Sequence, residues 1–373
     1  TETEIISDVD SPPFDKALMD GYAVRAADIF GESTTLDVIE ELTAGQVPSK
    51  VVGTGEATCI MTGAPIPDGA DAVVKVEETQ FDTDSQTVRI TGASIKTGTN
   101  LILRGTSMKQ GDIVLSAGRL LRPQELGSLA EMGEHIVSVR RRPKIAVLAT
   151  GDELVPINAT PGPGQIRNSN ETMLAAQIRH AGGEAVPLGI AKDDATQLRE
   201  KICVGLQSDV LLLSGGVSAG KLDLVPSALE AAGVKQVFHK VHLKPGKPIW
   251  FGVLDSDDSP RRYVFGLPGN PVSSLVCFEL FVRTAIRRLM GIDPAMPQAV
   301  RAKLGQEHIV HSDRPTYHPA RLDRREAEAI VTPVPWHGSS DLRATVDANG
   351  MILFPPGERA YDCGEAVDVF VWG

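Results

Sequence analysis

The sequence predicts a multidomain α/β plus β protein. A central, doubly wound and mostly parallel α/β domain is flanked by an N-terminal irregular β region and a small C-terminal β-barrel-like domain. Three observations indicate this. Residues 1–140 contain short β-like segments separated by Gly and Pro. Residues 143–290 alternate apolar runs with helically spaced apolar residues, which is typical of a parallel sheet covered by helices. Residues 296–373 return to strands separated by turns.

The N-terminal region contains three strand candidates and one helix candidate. Residues 57–61, 72–76 and 87–90 are β-like and are bounded by turn residues. Residues 123–132 begin with a Pro that an N-terminal helical turn tolerates, and their apolar residues have helical spacing. These segments predict a small β domain followed by a short helix.

In the α/β region, the nearly continuous apolar run at 144–150 predicts a strand covered on both faces. Apolar periodicity and the Gly residues that end helices predict the remaining elements. Predicted strands are 144–150, 184–190, 209–213, 234–241 and 263–266, and predicted helices are 172–180, 195–206, 222–232 and 272–289. The C-terminal domain should contain strands at 299–304, 329–334, 350–354 and 366–371.

Composition limits the function classes. The 373 residues suffice for two to four domains at roughly 100–200 residues each. They include 37 Lys and Arg against 48 Asp and Glu, and the net charge of −11 disfavours nucleic acid as a partner. No apolar run reaches the roughly 18–20 residues that span a bilayer, and the first residues lack a secretory signal pattern. We therefore expect a cytoplasmic protein that binds neither nucleic acid nor membrane.

The four cysteines lie far apart in the sequence and form no CxxC pair. They are Cys59, Cys203, Cys277 and Cys363. In a reducing compartment such residues are usually buried free thiols, and this is what we expect here.

Three loops follow predicted strands, at the edge of the sheet where doubly wound folds bind ligands. They are 150–153 (continuing to 168–170), 214–220 and 266–271. The glycines of 214–220 let backbone N–H groups approach a phosphate or another oxyanion. This loop matches neither GxGxxG nor the P-loop pattern. Loop 214–220 could instead be a tight turn without a ligand. Loop 266–271 could instead be a rigid segment that leads into a helix.

Two lysines are fixed by prolines in the segment KPGKP at 244–248. In an acidic chain, Lys244 and Lys247 would form a local anion site. The alternative interpretation is that both are solvated surface lysines.

Carboxylates lie beside the same loops. They are Asp152, Glu153, Asp193, Asp194 and Asp223. They could hold Mg²⁺ together with water and ligand phosphates. The alternative interpretation is that they are solvated surface carboxylates. The sequence contains no HExxH and no GxSxG motif, so we expect chemistry based on positioning, oxyanion binding and metal.

Six motifs occur in one order along nearly the whole chain. They are PFDxxxMDGYAVR at 13–25, IMTGAP at 60–65, TGDEL at 150–154, SGGVS at 214–218, KPGKP at 244–248 and GLPGNPVS at 266–273. In this combination the chain resembles the molybdopterin molybdenumtransferase family, which includes the C-terminal part of gephyrin. The resemblance implies a linking domain at 1–7 and 108–142, a small β domain at 8–107, an α/β domain at 143–292 and a C-terminal β domain at 296–373.

The resemblance also implies a reaction. Family members insert molybdate into adenylylated molybdopterin, with Mg²⁺-dependent hydrolysis of the adenylate and release of AMP. They are homodimers whose active cleft lies between the α/β domain of one subunit and the small β domains of the other. Other proteins of cofactor synthesis are further expected partners.

Site residues follow from the matching motifs and from the chemistry of the loops. The expected catalytic residues are Asp20, Thr62, Glu153, Asp223, Lys244 and Lys247. Glu153 and Asp223 are also the expected Mg²⁺ ligands. Expected substrate contacts are Ser214, Gly215, Gly216, Ser218, Asp193, Asp194, Pro268, Gly269, Asn270, Pro271 and Ser339.

The chain departs from the family pattern at several positions. Thr106 and Ser107 stand where the family usually has an acidic pair, Asn168 where it has Asp, and Lys221 where it has an acidic residue. The family's leading helical segment is missing, so either the N-terminus is trimmed or the α/β domain lacks a covering helix. These departures leave open a scaffold paralogue that binds without turnover. A second, less favoured alternative is a molybdopterin adenylyltransferase, because that family has a similar α/β domain. No motif distinguishes molybdate from tungstate.

Overall fold

The computed structural model describes residues 1–92, 94–217, 224–257, 260–324 and 328–372. The chain divides into two compact units, Thr1–Val139 and Arg140–Gly373.

The described part of the first unit is mostly β structure. Its strands are β1 (Ile5–Ile6), β2 (Lys16–Ala17), β3 (Gly21–Val24), β4 (Ser33–Leu42), β5 (Glu56–Ile60), β6 (Ala72–Lys75), β7 (Thr79–Asp82), β8 (Thr87–Thr91), β9 (Leu101–Ile102) and β10 (Ile113–Leu115), and helix α1 spans Pro123–Glu131. The main sheet has the order β6-β3-β5-β4-β8-β7, and β1 pairs with β10 and β2 with β9. The predicted strands and the helix at 123–132 are confirmed, with ends shifted by at most one residue.

The second unit begins with the α/β region. Its strands are β11 (Lys144–Thr150), β12 (Leu154–Val155), β13 (Ile166–Arg167), β14 (Glu184–Ala191), β15 (Val210–Ser214), β16 (Lys235–His239), β17 (Trp250–Leu254) and β18 (Arg262–Leu267), and its helices are α2 (Ser169–His180), α3 (Ala195–Gly205), α4 (Leu224–Ala231), α5 (Pro271–Cys277) and α6 (Arg283–Leu289). The main sheet has the order β14-β11-β15-β18-β17-β16. Pairings from β14 to β18 are parallel, whereas β17 is antiparallel to both neighbours. The doubly wound, mostly parallel sheet is thus confirmed, with an antiparallel edge that includes the unpredicted β17.

Side chains of β11 alternate between two hydrophobic cores, one on each face of the sheet. Ile145 and Val147 pack with residues of α2, α5 and α6. Ala146 and Leu148 pack with residues of α3 and α4. Because successive residues of a strand point to opposite faces, a continuous apolar run is required here.

The helix predicted at 272–289 is interrupted. A π-helical segment, Phe278–Val282, lies between α5 and α6. Within it the buried Glu279 pairs with Arg283, with 2.8 Å between carboxylate oxygen and Nε.

The C-terminal region contains a closed barrel. Its strands are β19 (Ala299–Leu304), β20 (His308–Ser312), β21 (Thr316–Asp323), β22 (Ile330–Pro333), β23 (Gly350–Phe354), β24 (Gly357–Tyr361) and β25 (Ala366–Val371), and helix α7 spans Leu342–Thr345. The barrel order is β19-β22-β21-β23-β25, and β20 pairs with β24. The barrel-like fold and its four predicted strands are confirmed, while β20, β21 and β24 were not predicted.

The expectation for the cysteines is partly wrong. Cys277 is buried and Cys59 is half-buried, but Cys203 and Cys363 are exposed. All four are free thiols, and burial raises the pKa of the Cys277 thiol.

In the described part of the chain, no helix is long and apolar enough to cross a membrane.

Candidate active site

The three predicted loops meet at the carboxyl ends of β11, β15 and β18. They line a cavity of about 810 Å³, which we call the glycine-loop cavity. Nine of the sequence-predicted residues line it, namely Glu153, Asp193, Ser214, Gly215, Gly216, Pro268, Gly269, Asn270 and Pro271. The parallel strands bring these residues together, as the position of their loops predicted.

Gly215 makes room for this cavity. Its φ of +97° lies in the left-handed region, and a Cβ added there would sit 2.6 Å from the carbonyl oxygen of Thr150. Only glycine fits such a position without strain. The Gly215 amide donates to the Leu267 carbonyl oxygen at 3.1 Å, so it is engaged inside the protein. The Gly215 amide is therefore not free to donate a hydrogen bond to a ligand, and Gly216 is the next residue of the loop that lines the cavity.

Asn170, at the start of α2, connects two of the loops. Its side-chain amide nitrogen lies 2.8 Å from the Ser214 hydroxyl oxygen and 2.8 Å from the Gly269 carbonyl oxygen. The sequence indicated Asn170 only as part of a helix start. The two contacts span 44 and 99 residues of chain, so no local pattern could have shown them.

The acidic side of the cavity is formed by residues after β11 and β14. The Asp193 backbone amide donates to the Asp152 carboxylate at 3.1 Å. Desolvation, followed by the negative charges of Asp152 and Glu153, raises the pKa of Asp193. Asp194 accepts a hydrogen bond from the Gln197 amide at 2.7 Å and thus caps α3. The pair predicted from sequence therefore separates into one residue that lines the cavity and one that caps a helix.

Of the two metal ligands expected from sequence, Glu153 lies within the described residues and Asp223 does not. Ser218, Lys221 and Asp223 lie outside the described residues. Among the residues that are described, no three His, Cys, Asp or Glu side chains are grouped so as to hold a metal ion.

A second cavity of about 720 Å³ adjoins the first, and Pro248, Pro268 and Asn270 line both. We call it the lysine cavity, because Lys244, Lys247 and Arg314 supply its positive charge. The Asn270 side-chain nitrogen donates to the Ser339 hydroxyl at 2.9 Å, which places Ser339 at this cavity as well.

The backbone of Lys244 is held by the barrel. Its amide donates to the Pro315 carbonyl at 2.9 Å, and its carbonyl accepts from the Tyr317 amide at 2.7 Å. Arg314 donates to the Leu243 carbonyl at 3.2 Å. The lysine segment is thereby fixed against β21.

Four histidines that sequence analysis did not identify also line the lysine cavity, and two of them, His308 and His318, are half-buried. Burial lowers the pKa of His318 to about 4, and burial lowers that of His308 as well. The His318 Nδ1 lies 2.9 Å from the Pro319 carbonyl oxygen, which makes Nδ1 the protonated nitrogen. Both rings are therefore neutral near pH 7, and the positive charge of the cavity comes from the lysines and Arg314.

Asp20 and Thr62 lie together on the first unit. The Asp20 carboxylate accepts from the Thr62 hydroxyl and backbone amide, each at 2.7 Å. These two hydrogen bonds hold the pKa of Asp20 below its usual value. The structure thus pairs two residues that the sequence assigned to one site.

Taken together, the carboxyl edge of a doubly wound sheet carries a glycine loop, nearby carboxylates and an adjoining cationic cavity. This arrangement is typical of proteins that bind anionic ligands at a polar site. Three family models match the chain. They are the MoeA N-terminal region (domain I and II) at residues 1–133, the probable molybdopterin binding domain at 146–288, and the MoeA C-terminal region (domain IV) at 301–372.

Full-length relatives agree with these models. Proteins named molybdopterin molybdenumtransferase from Staphylococcus aureus and Staphylococcus epidermidis are each 34% identical over 99% of this chain and 87% of their own length. A crystal structure of the molybdopterin biosynthesis MoeA protein from Pyrococcus horikosii is 32% identical, with a TM-score of 0.81 over 100% of this chain and 91% of that one. The chain belongs to the molybdopterin molybdenumtransferase family.

Proposed function

We propose that this protein inserts molybdate into adenylylated molybdopterin, hydrolyses the adenylate in an Mg²⁺-dependent step, and releases AMP. The observation that carries the proposal is the pair of adjoining cavities that share Pro268 and Asn270. One has a glycine loop and carboxylates, whereas the other has fixed cations. The names of the relatives support the same activity.

The glycine-loop cavity would bind the adenylylated molybdopterin. Its volume of about 810 Å³ is in the usual range for a site that encloses an organic ligand. Gly216 and Val217, which line the cavity, would approach the phosphate region with their backbone, and Ser214 would add a hydroxyl. Pro268 and Pro271 would keep the facing loop rigid, which holds the ligand in one orientation.

The carboxylates present fit Mg²⁺. This ion commonly takes one or two protein carboxylates and completes its shell with water and substrate phosphate, so a three-residue cluster is not required. Glu153 and Asp193 line the cavity. Desolvation is the main cause of the raised pKa of Asp193, and the negative charges of Asp152 and Glu153, which a cation would offset, add to it. Glu153 and Asp193 would hold the ion, with Asp223 as the further ligand expected from sequence. When bound, Mg²⁺ would offset the charge of the phosphates.

The lysine cavity would bind molybdate as substrate. Molybdate is a small dianion, and Lys244, Lys247 and Arg314 line the cavity with charge-assisted donors. Its shared wall with the glycine-loop cavity would keep the oxyanion next to the pterin, so that the two substrates meet without diffusion through solvent.

The proposal includes a homodimer in the cytoplasm. Asp20 and Thr62 of one subunit would line the cavity of the other, as the family resemblance implies. The free cysteines support a reducing compartment. Other proteins of cofactor synthesis would deliver substrate or receive product.

Release of AMP from adenylylated molybdopterin, measured with and without molybdate and across Mg²⁺ concentrations, tests the proposal. Wild-type protein should release AMP when molybdate is added. Glu153→Gln and Asp223→Asn should each slow release most at low Mg²⁺, and the exposed Glu200→Gln should behave as wild type. Unchanged release by both site variants at low Mg²⁺ would refute their assigned roles.

The same assay separates the alternatives. Tight substrate binding in calorimetry without AMP release in a single turnover would indicate the scaffold paralogue. Consumption of ATP with release of pyrophosphate would indicate the adenylyltransferase. Replacing molybdate with tungstate shows which oxyanion triggers release.

A further inference from the structure

Asn170 makes two hydrogen bonds that bring together loops from different strands. Its amide nitrogen contacts the Ser214 hydroxyl at the end of β15 and the Gly269 carbonyl after β18, each at 2.8 Å. A Cβ on Gly269 would lie 3.7 Å from the Cα of Gly215, so the two loops are in close contact at this point.

The Gly269 carbonyl fixes the orientation of the Asn170 amide. A carbonyl oxygen can only accept a hydrogen bond, so the atom that faces it must be the NH₂ group. The same nitrogen faces Ser214, and it has no lone pair to offer because an amide nitrogen only donates. The Ser214 oxygen therefore accepts from Asn170.

This acceptance determines what the Ser214 hydroxyl can do. Its hydrogen cannot point at Asn170, and among the described residues no other group accepts from it. Ser214 is 2% exposed, so few orientations toward bulk water are open to it, and it lines the glycine-loop cavity. The hydroxyl hydrogen is then available for an acceptor inside the cavity.

We propose that Asn170 is a positioning residue that holds the Ser214 hydroxyl as a hydrogen-bond donor to the anionic part of the substrate in the glycine-loop cavity. This role rests on the proposed function. Asn170 acts through Ser214, and it also holds the facing loop at the distance that this donor requires. A hydrogen bond to a charged acceptor contributes more than one between neutral groups, so its orientation affects affinity.

A double-mutant cycle on Asn170→Ala and Ser214→Ala tests the role, with the dissociation constant of adenylylated molybdopterin measured by calorimetry. Each single variant should weaken binding roughly tenfold to a hundredfold, the effect expected for a lost charge-assisted hydrogen bond. The double variant should bind about as weakly as Ser214→Ala alone, because Asn170 has nothing left to orient. The exposed Asn158→Ala is the matched control and should bind as wild type.

A purely structural role gives a different result. If Asn170 only ties the loops, its loss would weaken binding by the same factor with and without the Ser214 hydroxyl, and such additivity would overturn the proposal. Thermal unfolding of each variant checks the fold. If Asn170→Ala does not fold, Asn170→Asp takes its place in the cycle. Its carboxylate has the same shape but accepts from Ser214, so its effect should be smaller in the Ser214→Ala background.

The affinity of the wild-type protein for adenylylated molybdopterin distinguishes a failure of this role from a failure of the proposed function. Failure of the wild-type protein to bind adenylylated molybdopterin would overturn both. Wild-type binding with an additive cycle would overturn the role of Asn170 alone.

Discussion

The glycine-loop cavity and the lysine cavity share a wall but differ in charge. The first presents backbone, hydroxyl groups, the carboxylates of Glu153 and Asp193, and one cation, Arg167. The second presents Lys244 and Lys247 beside histidines that burial keeps neutral. An anion in the first meets one cation and two carboxylates, whereas an anion in the second meets three cations, Lys244, Lys247 and Arg314. The net charge of −11 therefore does not indicate which anions the site accepts.

The strongest test of this contrast removes the space in the glycine-loop cavity. In Gly215→Ala the new Cβ would sit 2.6 Å from the Thr150 carbonyl oxygen, so loop and strand must separate. We expect the affinity for adenylylated molybdopterin to fall roughly a hundredfold or more. The free energy of unfolding should fall by about 1–3 kcal/mol, as for strained backbone elsewhere. Calorimetry and urea unfolding measure the two effects.

Gly364→Ala is the matched control. Gly364 has a similar φ of +87°, but nothing lies within 4 Å of its added Cβ. It should lose some stability through backbone strain and no affinity. Equal affinity in the two variants would show that the close approach at Gly215 does not shape the cavity.

A smaller effect should follow from removing one cation of the lysine cavity. Lys247→Met keeps the length of the side chain but loses a charge-assisted donor. The molybdate concentration that gives half-maximal AMP release should rise roughly tenfold. Affinity for adenylylated molybdopterin should change far less, because that ligand binds in the other cavity.

The exposed Lys235→Met tests whether overall charge explains the effect, and it should leave the molybdate response unchanged. A similar rise in both lysine variants would contradict a local cation site.

A separate effect, on stability rather than on binding, concerns the neutral histidines. The pKa of His318 is about 4 in the folded protein and near 6.5 in an unfolded chain. Between these values the unfolded chain binds a proton that the folded protein does not, so the free energy of unfolding falls as pH falls from 6.5 to 4. His318→Gln keeps a donor for the Pro319 carbonyl and removes this titration. Its pH-dependent loss should be smaller by on the order of 3 kcal/mol.

Urea unfolding at pH 7 and pH 4 measures this difference, with the exposed His180→Gln as control. A wild-type pH profile for His318→Gln would mean that the ring titrates normally in the fold. Lys244 and His308 both lower the pKa of His318, so they are the neighbours to vary next.

Sequence patterns predicted the parts of the fold that depend on local chemistry. Residues 144–150 revealed a strand because both faces are buried, and the glycine loop at 214–220 marked the edge of the sheet. Strand β17 was missed because its five residues follow Pro248 closely and include Gly252. Strands β20 and β21 were missed because they contain histidines, arginine and Pro319. Burial of their apolar residues, and half-burial of His308 and His318, depends on barrel partners far away in sequence.

The candidate site divides in the same way. Gly215, Ser214 and the lysines belong to short motifs, so sequence alone indicated them. Asn170 and His318 act through distant contacts that have no local pattern. Geometry also separated Asp193, which faces the cavity, from Asp194, which caps a helix.

The attachment of Lys244 to the barrel has a consequence for protein engineering. Its amide and carbonyl pair with Pro315 and Tyr317, which belong to the C-terminal region and not to the α/β region. An α/β region excised before residue 296 would keep its sheet and its glycine loop, but both backbone groups of Lys244 would lose their partners. Grafting the α/β region onto another scaffold would thus transfer one cavity and leave the other behind.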